Sequence, residues 1–81
     1  MTILYSKQSI KAIARIDSKA KQRIKQGIEG IPGGDIVPLK GIQGHYRLRI
    51  GDWRILFSYE ENETVRINKI SPRGEAYKGV Q

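Results

Sequence analysis

The residues best suited to chemistry are arginines placed on either side of a tight turn. Arg47 and Arg49 precede Gly51-Asp52 and Arg54 follows it, within His45-Tyr46-Arg47-Leu48-Arg49-Ile50-Gly51-Asp52-Trp53-Arg54-Ile55-Leu56-Phe57. Arginine forks bind phosphate oxygens at two points and keep their charge at any physiological pH. Three of them on one surface suit a reaction in which negative charge builds on phosphorus. RNA carries its own nucleophile, the 2′-hydroxyl beside the scissile phosphate. A protein can cut it without a metal by holding the backbone for in-line attack and neutralising the phosphorane-like transition state. The expected products are a 2′,3′-cyclic phosphate and a 5′-hydroxyl, and DNA is spared. Proton transfer is the demanding step, because arginine is a poor acid or base at neutral pH unless strongly perturbed. The competing reading is a solvent-facing arginine surface that binds RNA and does nothing more.

Other chemistries find fewer of their parts. One histidine and no cysteine leave the usual zinc sites without ligands. Asp17, Glu29, Asp35 and Asp52 fall at expected helix ends and turns, poorly placed to hold catalytic magnesium. A serine triad would have to use His45, and no serine stands in a suitable elbow. Gly30-Ile31-Pro32-Gly33-Gly34-Asp35 lacks the Gly-Lys-Ser/Thr of a phosphate-binding loop and reads as a connector. No metal and no cofactor is expected.

The charge balance points the same way as the arginines. Fifteen Lys and Arg against eight Asp and Glu give a net charge of +7, which favours a polyanionic partner. No apolar run approaches membrane-spanning length and no secretory leader is recognised. With no cysteine, a reducing cytoplasm is natural, so a cytoplasmic protein with no membrane partner is expected. The 81 residues are expected to form one small domain over 1–81.

The arginines must be positioned by a sheet. Apolar residues alternate at period two on both sides of Gly51-Asp52, so the stretch reads as two strands with a two-residue turn. That register pairs Ile50 with Trp53, Arg49 with Arg54, Leu48 with Ile55 and Arg47 with Leu56. Tyr46, Leu48, Ile50, Trp53, Ile55 and Phe57 then make one apolar face. Arg47, Arg49 and Arg54 share the other, with His45 nearby. Like charges directly opposite cost a few tenths to ~1 kcal/mol, so the Arg49–Arg54 pair argues for an anionic partner.

The remaining elements follow in order. Thr2 to Tyr5 reads as a first strand. Ser6 is a plausible N-cap for a helix from Lys7 to Ile16, with Ile10, Ile13 and Ala14 on one face and Ala12 and Ile16 widening it. Asp17-Ser18 caps a second helix to about Glu29, striped by Ala20, Ile24 and Ile28. Its Lys19, Lys21, Arg23 and Lys25 read first as a solvated face, and second as an accessory phosphate contact. Ile36 to Ile42 reads as a further connector, anchored by Leu39, with Lys40 exposed. After Tyr59, the Glu61-Asn62-Glu63 loop closed by Glu60 and Thr64 keeps Val65 and Ile67 on the side of Phe57. Arg66 and Asn68 then join the arginine face. Pro72 ends the last strand. Arg73 and Tyr77 lie four apart in a tail that can fold back over the sheet edge, with no room for a substantial helix after them. The expected fold class is α+β, ordered βααβββ: an N-terminal strand, a helical hairpin, and an antiparallel three-stranded meander in one small sheet.

These residues resemble the RelE/ParE superfamily of type II toxins, most closely the RelE-like mRNA interferases. The resemblance lies in Leu39-Lys40-Gly41, in Tyr46 to Phe57, and in Ile70-Ser71-Pro72-Arg73-Gly74-Glu75-Ala76-Tyr77, about half of the chain. The order of elements fits the family fold over nearly all of it. The resemblance implies a toxin that enters the ribosomal A site, cuts translated mRNA and is held inactive by a cognate antitoxin. It assigns phosphate binding and help with proton transfer to Arg47 and Arg49, transition-state stabilisation to Arg54, the general acid to Arg73 and base stacking to Tyr77. Lys40, His45, Arg66 and Lys78 are candidate RNA contacts around them. Two departures stand out: arginines occupy 47 and 49 where the best-studied members have lysines, and Pro72 stands where many relatives have histidine. The alternatives are a ParE-like inhibitor of DNA gyrase, and a non-catalytic module that binds RNA or the ribosome.

Overall fold

The computed structural model describes residues 1–72. Its elements are β1 (Thr2–Tyr5), α1 (Lys7–Ala14), α2 (Ser18–Glu29), β2 (Asp35–Pro38), β3 (His45–Ile50), β4 (Trp53–Glu60) and β5 (Thr64–Pro72). The class is α+β. The strands form one sheet in the order β1-β5-β4-β3-β2. β1 runs parallel to β5, and every other neighbouring pair is antiparallel. The helical hairpin therefore carries the chain from one sheet edge to the other. α1 packs on β5 and α2 on β3. Among the described residues no helix is long and apolar enough to cross a membrane.

Local chemistry sets the helix starts. Ser6 Oγ accepts from Ser9 N at 3.1 Å and donates to the Asn68 carbonyl at 2.8 Å, so one side chain caps α1 and ties it to β5. Asp17 Oδ2 accepts from Ala20 N at 3.2 Å at the start of α2. Gln8 completes the α1–sheet joint. β1 ends opposite Ile67, and beyond it the Gln8 amide exchanges two hydrogen bonds with the Ile70 backbone, at 3.0 and 3.3 Å. A side chain thus continues the ladder where the strand stops.

α1 differs from the sequence reading in length and in its buried face. It ends at Ala14, and Ile16 is buried in the link beyond it. Ile10 is 57% exposed and Ala14 also faces solvent, whereas Ser9 is fully buried. The packed stripe is Ser9, Ala12, Ile13 and Ile16, the i, i+3, i+4, i+7 set. A serine can occupy a core position here because its hydroxyl donates to the Ser6 carbonyl at 2.8 Å.

The β3–β4 register is the expected one, Ile50 opposite Trp53 and Arg49 opposite Arg54. Gly51 has φ +57°, as a two-residue hairpin turn with glycine first requires. Leu48, Ile55, Phe57, Val65, Ile67 and Ile70 meet Ile24 and Ile28 of α2 in one core, with Tyr46, Ile50 and Trp53 at its margin. The Glu61-Asn62-Glu63 loop is closed by the Glu60–Thr64 pair, and Phe57 lies opposite Ile67.

Two features of the sheet depart from expectation. The sheet has five strands rather than four, because Asp35–Pro38 is an edge strand on β3 and not a connector. Its flanking glycines and closing proline hide a short strand from propensity arguments. Pro38 is tolerated because an edge strand has one side of its backbone unpaired. The second departure is a bulge opposite Leu56 and Phe57: Phe57 pairs with Ile67 and Leu56 with Lys69. The extra residue, Asn68, shifts the alternation, so Ile70 enters the core and Lys69 and Ser71 turn to the opposite face.

Candidate nucleic-acid interface

Both helices pack on the face that carries Leu48, Ile55 and Ile67, so the arginines stand on the other. Across β2 to β5, Val37, Arg47, Leu56 and Lys69 lie abreast in one row, and Asp35, Arg49, Arg54 and Ser71 in the next. Rows on one face are about 7 Å apart and neighbouring strands about 4.8 Å. Four basic residues therefore occupy a patch of about 7 by 10 Å, the scale of a nucleotide or two.

The three arginines have different surroundings. Arg54 is only 8% exposed. Its Nη1 donates to the Gly51 and Trp53 carbonyls, each at 3.2 Å. No carboxylate among the described residues pairs with it. A buried cation without a counter-charge is costly, and stability alone gives no reason to keep one. Arg47 has a side chain 13% exposed, and its Nη2 lies 3.2 Å from Asp35 Oδ1. Its Nε is buried with no hydrogen-bond partner among the described residues. Arg49 is the open one, 53% exposed, with Nε 2.8 Å from Asp35 Oδ2.

The other residues singled out from the sequence are more dispersed. His45 and Arg66 share a third row with Ser58. His45 Nδ1 is 3.2 Å from the Gln43 carbonyl, and Asn68 donates to Ser58 Oγ at 3.2 Å. Arg66 is committed to Glu60 by a forked pair, Nε to Oε2 at 2.7 Å and Nη2 to Oε1 at 3.3 Å. The hydrogen bond from Arg66 holds the Glu60 carboxyl below its usual range, and the same bond raises Arg66. Lys40 is exposed in the turn after β2, next to Leu39, whose N–H closes the β2–β3 loop on the His45 carbonyl at 2.9 Å. Arg73, Tyr77 and Lys78 lie outside the described residues.

Asp35 and Lys69 belong to this face and were not among the residues read from the sequence. Asp35 was assigned to a turn; it stands on β2, opposite Arg49. The signal for it was the alternation Asp35-Ile36-Val37, with the apolar Ile36 turned inward. Lys69 was detectable from the spacing of three between Ile67 and Ile70, which strict alternation cannot accommodate. Among the described residues no three His, Cys, Asp or Glu side chains gather as a metal site would need.

Neither a protein-family model nor a curated protein matches the chain. Solved structures do match. A chain of the RelB–RelE antitoxin–toxin complex from Methanococcus jannaschii is similar at a TM-score of 0.76 and 24% identity, over 93% of this chain and 95% of that one. In the archaeal RelE–RelB complex from Pyrococcus horikoshii OT3 the TM-score is 0.73 and the identity 26%, over 91% and 96%. The chain has the RelE fold. A more distant neighbour lies in the intact Escherichia coli RelBE toxin–antitoxin complex, at a TM-score of 0.68 and 16% identity over 91% and 96%. The RelE-like order of elements read from the sequence thus agrees with the RelE-like structures, with the edge strand β2 as the addition.

Proposed function

We propose that this RelE-fold chain is the toxin of a type II toxin–antitoxin pair, and that it is a metal-independent endoribonuclease acting on translated mRNA. The observation that carries the reading is Arg54: a guanidinium kept buried and without a carboxylate partner among the described residues, one strand from Arg49 and one row from Arg47. Such a cation suits negative charge that appears only when substrate arrives. The solved neighbours, which are toxin–antitoxin complexes, support the toxin assignment and an antitoxin partner.

In this reading the RNA backbone lies along the arginine face. Arg47 and Arg49 hold the non-bridging oxygens of the scissile phosphate, and Arg54 meets the charge that develops on them. The 2′-oxygen passes its proton to solvent water and bonds to phosphorus, and the bond from phosphorus to the 5′-oxygen breaks. The products are a 2′,3′-cyclic phosphate and a 5′-hydroxyl. Arg73 is the candidate donor of a proton to the leaving oxygen, and Tyr77 the candidate stacking surface for a base. Lys40, His45 and Lys78 are candidate contacts to flanking phosphates. Arg66 has to exchange its Glu60 pair to serve in that way.

The test is the chemistry of RNA ends. Purified protein added to translating ribosomes is expected to create fragments with 5′-hydroxyl ends at set codon positions. Arrest without new ends would favour the non-catalytic RNA- or ribosome-binding reading. Inhibition of gyrase supercoiling, with RNA intact, would favour the gyrase reading.

A further inference from the structure

The carboxylate of Asp35 joins two arginines of this face, the open Arg49 and the largely buried Arg47. Its two oxygens accept from different side chains: Oδ1 from Arg47 Nη2 at 3.2 Å and Oδ2 from Arg49 Nε at 2.8 Å. Two oxygens on one atom with a single negative charge are what a phosphodiester offers through its non-bridging pair. The backbone register places the carboxylate there, since Asp35 is the cross-strand partner of Arg49 and stands one row from Arg47.

We propose that Asp35 is a specificity-determining residue: an internal anion that occupies the phosphate position on Arg47 and Arg49 and must be displaced by RNA. This rests on the ribonuclease reading of the same face. Three observations support displacement over permanent closure. The Asp35 side chain is 43% exposed and Arg49 53%, so the pair is solvated and exchanges at little cost. Asp35 is on an edge strand that pairs with β3 alone. Arg47 Nε is buried without a hydrogen-bond partner among the described residues, so the Asp35 carboxylate leaves Arg47 incompletely satisfied.

Selectivity follows from competition. An RNA that touches only Arg47 and Arg49 exchanges one anion for another and gains little. An RNA that also brings charge to Arg54, or is held by further contacts, displaces Asp35 with a net gain. Stray cellular RNA is thus disfavoured against a substrate presented in a fixed geometry.

The experiment measures binding of a ten-nucleotide RNA, 2′-O-methylated throughout so that it cannot be cut, by fluorescence anisotropy over a salt series. Asp35→Asn is expected to bind about three- to tenfold more tightly at low salt. It is also expected to steepen the plot of log affinity against log salt by about 0.7, one further phosphate neutralised on a single strand. Asp35→Glu, which keeps the anion, is expected to retain the wild-type slope. Should Asp35→Asn lose the edge strand, Asp35→Thr removes the same charge with a better strand former. Equal or weaker binding by the charge-removing variant, with an unchanged slope, overturns the proposal while the ribonuclease reading stands if wild-type protein still cuts RNA on ribosomes. Absence of wild-type binding that depends on Arg47 and Arg49 overturns both.

Discussion

Replacing Arg54 by methionine should stabilise the protein while removing its activity. The guanidinium is 8% exposed, and its two hydrogen bonds are both long at 3.2 Å. Each contributes ~1.5 kcal/mol at that geometry, the low end for a charged donor. Against them stands the desolvation of a cation with no carboxylate among the described residues, several kcal/mol after relaxation. Repulsion from Arg49, directly opposite, adds a few tenths to ~1 kcal/mol. These contributions come close to cancelling. Methionine then fills the same space with apolar atoms; the arginine's methylene stem is already buried, so the added apolar burial contributes about 1–2 kcal/mol. The expected net gain is about 1–2 kcal/mol, which for a domain of this size raises Tm by about 4–16 °C. Thermal unfolding followed by circular dichroism reads the shift, and RNA cleavage on ribosomes reads the activity. A more stable and inactive variant is the signature of a residue kept for function. A fall in Tm would refute the reasoning, because the buried charge would then be part of what holds the sheet together.

Other perturbations test other parts of the structure. A Cβ on Gly27 would run into Ile50 Cδ1, so Gly27→Ala should lose about 1 kcal/mol to overpacking despite a better helix propensity. Ile50 Cγ1 is also too close, so Ile50→Ala, which removes both atoms, should turn the Gly27→Ala change stabilising; additive urea midpoints in the double mutant would contradict this. Glu60 has a folded pKa depressed by Arg66, so its contribution is present above the ordinary carboxylate pKa and is lost as pH falls through the lower folded value. The urea midpoints of wild type and Glu60→Gln should accordingly differ at pH 7 and converge in acid. Arg73→Ala and Tyr77→Ala should relieve growth arrest without a change in Tm; full toxicity in both would remove these residues from the proposed mechanism.

The central hairpin was legible because two independent signals agree there: period-two alternation fixes the faces, and Gly51 fixes the register. The helix caps were legible for a similar reason, since Ser6 and Asp17 act on the N–H groups nearest to them. What escaped reading was set by distant partners. Ser9 reads as a surface residue until its hydroxyl is seen to be satisfied within its own turn, and Ile10 reads as core until β5 is seen to pack against the neighbouring stripe. Asp35–Pro38 has two strand formers, Ile36 and Val37, set between residues that disfavour strands, and it pairs where β3 presents an open edge. The bulge at Asn68 was implicit in the spacing of Ile67 and Ile70, but its consequence, Lys69 beside Leu56 and Arg47, needs the whole sheet. The candidate site was half readable in the same way. Its arginines follow from local periodicity, whereas the carboxylate that restrains two of them comes from a strand ten residues upstream.

The central claim is that the arginine face cuts RNA. Mapping of 5′-hydroxyl ends on a defined mRNA, after purified wild-type and Arg54→Met proteins are added to translating ribosomes, tests it most directly. The account predicts new ends at set codon positions with wild-type protein, and none with the variant at equal concentration. Translation arrest by both proteins with the mRNA intact would contradict it.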